Sequence, residues 1–168
     1  MKDVLLLCLL FLSLFYAKGQ ESVDIDGRLR PILTEFFNYC DHYGIDYHEK
    51  LFQLKSIDIT NTLSLEEGNT VLGKVVRDSY GDIEHILVNW AATIDQEILR
   101  VVAFHEFAHH FLDYKHTCQD CNEIMAVNNS SYFNVVRDWD NQVHKLFITS
   151  PVYQAKQTKI SYIDVPNQ

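Results

Sequence analysis

The sequence predicts an α+β domain, in which a small twisted sheet packs on an N-terminal helix and a central helix, with a further helix towards the C-terminus. Apolar residues recur at helical spacing in three segments, and short apolar runs separated by turn residues fill the region between the first two. No repeat, low-complexity run or linker separates these segments. One domain is therefore expected.

The N-terminus differs from the rest of the chain in its apolar composition. The apolar run over 4–16 is shorter than the roughly 20 residues that span a bilayer. Ala17 and Gly19 supply the small residues of a signal peptidase site. We therefore predict a signal peptide over 1–19, a single domain over 20–168, and secretion to an extracellular or periplasmic space.

The charge balance excludes one class of partner. The 168 residues include 14 Lys and Arg against 23 Asp and Glu, a net charge of −9 at pH 7. Binding to a phosphate backbone needs clustered basic side chains, so no nucleic-acid partner is expected. After the leader no apolar stretch is long enough to span a membrane.

The first helix is predicted over 28–43. Pro31 suits its first turn, and Gly44 suits the left-handed residue that follows its last turn. Beyond it, a strand is predicted near 54–60. Two further strands, 71–77 and 83–89, flank a glycine-containing loop and are expected to pair.

The central helix is predicted over 94–113, with Thr93 and Gln96 as a capping box at its start. It is apolar on nearly all sides, which is typical of a helix in the middle of a domain. A last helix is predicted over 132–148, ending before Pro151.

A metal-binding pattern lies on the central helix. His105 and His109 are four residues apart, so both imidazoles project from one face and can bind one zinc ion at about 2.0 to 2.1 Å each. Glu106 lies one residue around the helix, where its carboxylate can reach a water molecule without binding the metal. Two histidines and a glutamate are costly to bury in so apolar a helix unless they have a partner. A metal ion supplies that partner.

A catalytic zinc ion usually takes three protein ligands and keeps one open position. We favour His116 as the third ligand, because a chain that turns after the helix can bring it back towards the ion. Asp113 lies one turn beyond His109, where a straight helix carries it away from the ion. The other candidates are Glu123, and Asp138 or His144 on the last helix.

The run over 105–116, followed by Glu-Ile-Met at 123–125, resembles small secreted metallopeptidases related to the metzincins. The resemblance implies a minimal zincin-like domain. It assigns His105, His109 and His116 as zinc ligands, Glu106 as the general base, and Met125 as the methionine of a turn beneath the metal.

The chain departs from the metzincin pattern after the second histidine. Metzincins place the third histidine one residue earlier, at the position of Lys115 here, and a glycine at the position of Leu112. Met125 also has a simpler interpretation as a core methionine. The resemblance is weak over most of the chain and specific in the motif region.

Three cysteines follow the leader: Cys40, Cys118 and Cys121. The last two have the spacing of a zinc knuckle or a redox pair, and in a secreted protein a local disulfide between them is at least equally expected. Cys40 then stays unpaired. The alternative pairs Cys40 with one of the other two, and the sequence leaves both arrangements open.

Together these residues predict a zinc-dependent peptidase acting on a peptide or protein substrate. An edge strand within 83–89 is expected to hold an extended peptide by strand addition. Two alternatives stay open, namely a zincin-like binding or inhibitory module without turnover, and a metal-free protein with hydrogen-bonded core histidines. Glu106 favours the enzyme, because a structural site needs no carboxylate there. Substrate identity and oligomeric state are not predicted.

Overall fold

The computed structural model describes residues 22–61, 65–66, 69–128 and 132–163. The predicted signal peptide, 1–19, lies outside these residues. Among the described residues, no helix is both long and apolar enough to cross a membrane.

The described chain contains six α-helices and a short 3-10 helix at Trp90–Ile94. The α-helices are α1 (Arg30–Tyr43), α2 (His48–Gln53), α3 (Gln96–Phe111), α4 (Tyr132–Arg137), α5 (Trp139–Ile148) and α6 (Pro151–Ile163). Helix α1 ends as predicted at Gly44, which has φ 63° and donates its amide hydrogen to Asp41 O at 3.0 Å. The predicted first helix is thus confirmed to within two residues at its start.

The described strands are β1 (Asp24–Ile25), β2 (Ser56–Thr60), β3 (Leu65–Glu66), β4 (Asn69–Thr70), β5 (Gly73–Arg77), β6 (Ile83–Asn89), β7 (Cys118–Asp120) and β8 (Ala126–Asn128). They form a four-stranded sheet in the order β1-β2-β6-β5 and two pairs, β3-β4 and β7-β8. Strands β1, β2 and β6 are parallel, whereas β5 is antiparallel to β6. The predicted pairing of the two strands around the glycine loop is confirmed.

Strand β6 is an inner strand of the sheet, so the prediction of an edge strand within 83–89 is wrong. Parallel strands buried on both faces carry apolar runs, and Ile57, Ile86 and Val88 are fully buried. The edge beside β6 is formed by β5, whose first residues face α3.

A cluster of aromatic rings joins α1 to α3. The ring of Phe36 on α1 is fully buried, and four phenylalanine rings surround it with centroids between 5.2 and 5.8 Å away, namely Phe104, Phe107, Phe111 and Phe147. Edge-to-face and tilted contacts of this kind stabilise a core beyond their buried area. The cluster fixes the axial position and rotation of α3 within the domain.

The start of helix α3 differs from the prediction. Helix α3 is capped by Asp95, whose carboxylate accepts from the amides of Glu97 at 2.7 Å and Ile98 at 3.2 Å, rather than by Thr93. Thr93 belongs to the preceding 3-10 helix, where its hydroxyl donates to Trp90 O. A charged carboxylate at this position also interacts favourably with the helix dipole.

The C-terminal region holds three helices instead of the single predicted one. The segment 132–148 breaks at Asp138, whose carboxylate accepts from the Asn141 side chain at 2.6 Å. Pro151 does not end the helical region but begins α6, because Ser150 Oγ accepts from Tyr153 N at 3.1 Å as an N-cap. The α+β class is confirmed at this coarse level.

Candidate metal centre

Three histidine side chains converge at the C-terminal end of α3. His105 Nε2 lies 3.0 Å from His109 Nε2 and 3.2 Å from His116 Nε2. One nitrogen of each ring falls within 4.8 Å of the other two. Two of these histidines are on the helix, and His116 is on the loop that follows it, which is the arrangement that the sequence predicts.

Backbone carbonyls determine which ring nitrogens carry hydrogen. His105 Nδ1 lies 2.6 Å from Ile124 O, and His109 Nδ1 lies 2.8 Å from Tyr114 O. A carbonyl oxygen can only accept, so each Nδ1 donates to its carbonyl and each Nε2 of a neutral ring keeps its lone pair. Two lone pairs therefore face each other across 3.0 Å. A cation between them would relieve this repulsion.

The surroundings disfavour a proton as that cation. Burial lowers the pKa of His105 to about 4, and the charges of His109 and His116 act in the same direction. Burial also lowers the pKa of His109. Both shifts favour the neutral imidazole, which is the form that binds a metal ion.

The spacing of the nitrogens fits a tetrahedral ion. Two nitrogens at about 2.05 Å from a tetrahedral zinc ion stand about 3.3 Å apart. The observed separations of 3.0 and 3.2 Å are close to this value. Imidazole ligands also suit copper, nickel and iron, whereas magnesium and calcium prefer oxygen. The donor set therefore fits zinc or another borderline transition metal.

Glu106 points its side chain towards strand β5. The residue is 5% exposed, and within the described chain its carboxylate has no hydrogen-bond or ion-pair partner. Burial alone raises the pKa of this carboxyl to about 8. The side chain occupies space left by Gly73, where a Cβ would stand 2.6 Å from Glu106 Cδ. A strongly shifted carboxyl that is buried one residue from the histidine cluster is a candidate functional group.

Comparison of the chain with protein-family models, curated proteins and solved structures finds no match. The capacity to bind a metal is thus inferred from the geometry of these side chains.

The other candidates for the third ligand have different partners. The pairs are Asp113 with Lys50 at 2.7 Å, Glu123 with Lys145 at 2.6 Å, Asp138 with Asn141 at 2.6 Å, and His144 with Tyr43 at 2.8 Å. Of the five side chains weighed, His116 is the one that joins His105 and His109 in the cluster.

A left-handed residue brings His116 back to the helix. Asp113 has φ 57°, the positive φ that glycine supplies at many helix ends. Its carboxylate accepts from Lys50 Nζ, which also donates to Phe111 O at 3.3 Å. Compared with the metzincin pattern, the turn residue and the third histidine both come one residue later. The spacing of three residues between them is therefore unchanged.

Met125 lies in a turn beneath His105. Ala126 N donates to Glu123 O at 3.2 Å, which closes a turn with Ile124 and Met125 at its centre. The carbonyl of Ile124 is the partner of His105, and Met125 is 2% exposed. This position agrees with a turn methionine and equally with a core methionine, because its side chain is buried in either case.

Cys118 and Cys121 form a disulfide, one of the arrangements that the sequence leaves open, and Cys40 is free and buried. The two sulfurs lie near Glu123 in a second group of metal-ligand types. A disulfide offers no thiolate, so this group is not equivalent to the histidine cluster.

Three features of the site were not predicted from the sequence. The carbonyls of Ile124 and Tyr114 have no sequence signal, because every residue carries one. Gly73 had a weak signal, since glycine inside a strand often marks a close approach. His110 is 5% exposed and donates Nε2–H to Lys50 O at 2.7 Å, so it ties α2 to α3 rather than facing solvent.

Proposed function

We propose that this protein is a secreted zinc-dependent peptidase with a zincin-like site related to that of the metzincins. The observation that carries the proposal is the meeting of three histidine Nε2 atoms at a helix that also holds a buried carboxyl, Glu106, with no partner in the described chain. A structural zinc site has no use for such a carboxyl, and a hydrolytic site needs one.

His105, His109 and His116 would hold the ion and leave a fourth position for water. Zinc supplies Lewis acidity, which polarises a substrate carbonyl and brings the pKa of water down to about 7. Two of the three imidazoles have their orientation fixed by backbone carbonyls, and such partners tune metal affinity about 10- to 100-fold.

Glu106 is assigned the role of general base. Its carboxylate takes one proton from the attacking water while the water oxygen bonds to the carbonyl carbon. The same carboxyl then gives that proton to the leaving nitrogen as the C–N bond breaks, so the group ends as it began. A positioned base of this kind contributes about 10² to 10⁴ in rate. A cation on the neighbouring histidines favours the ionised form against the effect of burial.

An extended peptide is the substrate that the sheet suits. Strand β5 lies at the edge of the described four-stranded sheet, and its Gly73 contacts Glu106. A peptide that pairs with β5 would run past Gly73, which contacts Glu106, with main-chain hydrogen bonds supplying affinity. Strand β5 thus replaces the strand within 83–89 in this role.

The test is cleavage of a diverse peptide library by zinc-loaded mature protein, read by mass spectrometry, with Glu106→Gln as the matched variant. We expect cleavage by the native protein and a loss of about 10² to 10⁴ in rate for Glu106→Gln. Zinc content and unfolding temperature are measured on both proteins, so that the loss is not misread as loss of metal or fold.

Two results would contradict the peptidase. Folded protein that binds one zinc ion and cleaves nothing would favour the non-catalytic zinc-binding module. Protein that binds no stoichiometric metal, and whose stability is unchanged by a chelator, would favour hydrogen-bonded core histidines. For the zinc-binding module, Glu106→Gln would leave function intact.

A further inference from the structure

Helix α5 supplies no histidine to the cluster, but it contacts the segment that supports all three. This segment runs from Tyr114 to Met125 and is named here the support loop. It contains His116, together with the carbonyls that accept from His105 and His109. The position of the support loop therefore determines the geometry of the whole site.

Three side-chain contacts join the support loop to the C-terminal helices. Tyr114 Oη donates to Leu146 O at 2.9 Å and lies 2.6 Å from Thr149 Oγ1. Gln142 Nε2 donates to Asn122 O at 2.9 Å. The third contact is the ion pair of Lys145 Nζ with Glu123 Oε1 at 2.6 Å.

Glu123 differs from the other two contacts because it reaches the neighbour of a metal ligand. Its second oxygen, Oε2, accepts from Thr117 Oγ1 at 3.0 Å. Thr117 follows His116 directly, and its amide donates to Met125 O at 3.0 Å. A single carboxylate therefore connects α5 to the residue after the third histidine.

His116 needs such a connection more than the other two histidines do. His105 and His109 are part buried on a helix, and each donates to a backbone carbonyl. His116 is exposed and comes from a loop. Holding a loop side chain in one conformation costs conformational entropy, and a contact that restricts the loop beforehand reduces this cost.

We propose that Glu123 is a positioning residue for the third metal ligand, through its joint contact with Thr117 beside His116 and with Lys145 of helix α5. This inference rests on the proposed metal site and adds a residue that binds neither metal nor substrate. It assigns α5 the role of a support for the site.

The test is a double-mutant cycle on zinc affinity, measured by competition with a chromophoric chelator. Glu123→Gln keeps the shape of the side chain and removes its charge. We expect the zinc Kd of this variant to rise about 10-fold, the lower end of the effect of a residue that orients a ligand. In a His116→Ala background the same substitution should leave the Kd unchanged, because the ligand that it positions is gone.

Cobalt(II) provides a second readout that does not depend on turnover. Substitution of Co²⁺ for Zn²⁺ should give visible absorption that reports the number of bound histidines. We expect the Glu123→Gln spectrum to shift towards that of His116→Ala. Thr117→Val, which removes the hydroxyl at the other end of the contact, should shift it in the same direction and serves as the second variant if Glu123→Gln does not fold.

Asp120→Asn is the matched control, since Asp120 is an exposed carboxylate of the same loop. Its zinc Kd should equal that of the native protein. Equal losses from Glu123→Gln with and without His116 would overturn the inference, as would no loss in the native background. A native protein that binds no zinc would instead overturn the proposed function, so the two failures are distinguishable.

Discussion

The two halves of the candidate metal centre are built in different ways. His105 and His109 lie on α3, a helix that packs on α1 through the phenylalanine cluster, and backbone carbonyls orient both rings. His116 is exposed on a loop. The path of this loop is set by a left-handed residue, a disulfide between cysteines three residues apart, and contacts with α5. The helical half is set by local periodicity, and the loop half is set by tertiary contacts.

This difference separates the residues that affect the stability of the fold from those that affect metal affinity. The helix residues are part of the core, so a change beneath them affects folding as well as metal binding. His116 and Thr117 of the support loop are exposed, so a change at either residue alters metal affinity at little cost to the fold. Each half can therefore be tested with its own variants.

The largest effect on stability is expected from the core beneath the helical half. Phe36→Ala removes the central ring of the cluster, and such a truncation should lower the free energy of unfolding by about 3–5 kcal/mol. Urea denaturation followed by circular dichroism measures this loss. Phe52→Ala is the control, because Phe52 is 56% exposed on α2 and its truncation should cost less than about 0.5 kcal/mol. Similar losses from both variants would contradict the described core.

The next prediction compares the loss of zinc affinity when each of the three histidines is removed. Loss of a contact that only orients a ligand costs 10- to 100-fold in metal affinity, so His105→Ala or His109→Ala should cost at least about 100-fold. His116→Ala should cost less, about 10- to 100-fold, because binding the loop ligand also requires ordering the loop. Isothermal titration with Zn²⁺ gives the three values.

His42→Gln is the control for these titrations, since His42 is an exposed histidine of α1 outside the cluster. It should bind zinc as the native protein does. If His116→Ala proved more damaging than both helix variants, the proposed contrast between the two halves would be wrong.

Substitution of Gly73 tests whether the Glu106 side chain needs the space beside strand β5. Gly73→Ala adds a Cβ 2.6 Å from Glu106 Cδ, so either the strand or the glutamate must move, at a cost of about 1–3 kcal/mol. If the glutamate moves, peptide cleavage should fall about 10- to 100-fold, because a displacement of about 1 Å has that effect on a reacting group. Zinc affinity should change little, since Glu106 is not a ligand.

Gly27→Ala provides the matched comparison, because nothing lies within 4 Å of a Cβ at Gly27. Unfolding by urea and cleavage of a library peptide should both be close to native for this variant. A Gly73→Ala protein that is native in both respects would show that Glu106 adjusts freely.

The helical half of the site could be predicted from the sequence, and the loop half only in part. The four-residue spacing of His105 and His109 fixes their common face wherever the helix packs. Choosing among the five candidates for the third ligand requires the position of the turn after α3. An aspartate at position 113 does not predict a left-handed conformation from sequence, whereas a glycine there would. The contact of Glu123 with α5 joins residues 22 apart and leaves no local pattern.

The same limit applies to the fold. The predicted strand 83–89 agrees with β6, and the paired strand 71–77 begins two residues before β5. Which strand lies at the edge depends on the order β1-β2-β6-β5, which no single strand encodes. Strands of two residues, such as β1, are too short to show a period at all.

The smallest effect concerns the turn between the two halves. Asp113 has φ 57°, and a β-branched residue is strained there by about 1–2 kcal/mol. Asp113→Val should therefore lower the free energy of unfolding by about 1 kcal/mol, while Asp113→Asn, which tolerates this conformation, should change it by less than about 0.5 kcal/mol.

Asp113→Asn isolates the charge that contacts Lys50 from the backbone requirement, since it keeps the shape of the side chain and removes the ion pair. Urea denaturation gives the stabilities, and zinc titration shows whether strain at the turn reaches His116 three residues later. We expect the zinc Kd to rise a few-fold for the valine variant and to stay native for the asparagine variant. An equal loss in both variants would mean that the ion pair, and not the left-handed backbone, directs the loop back to the helix.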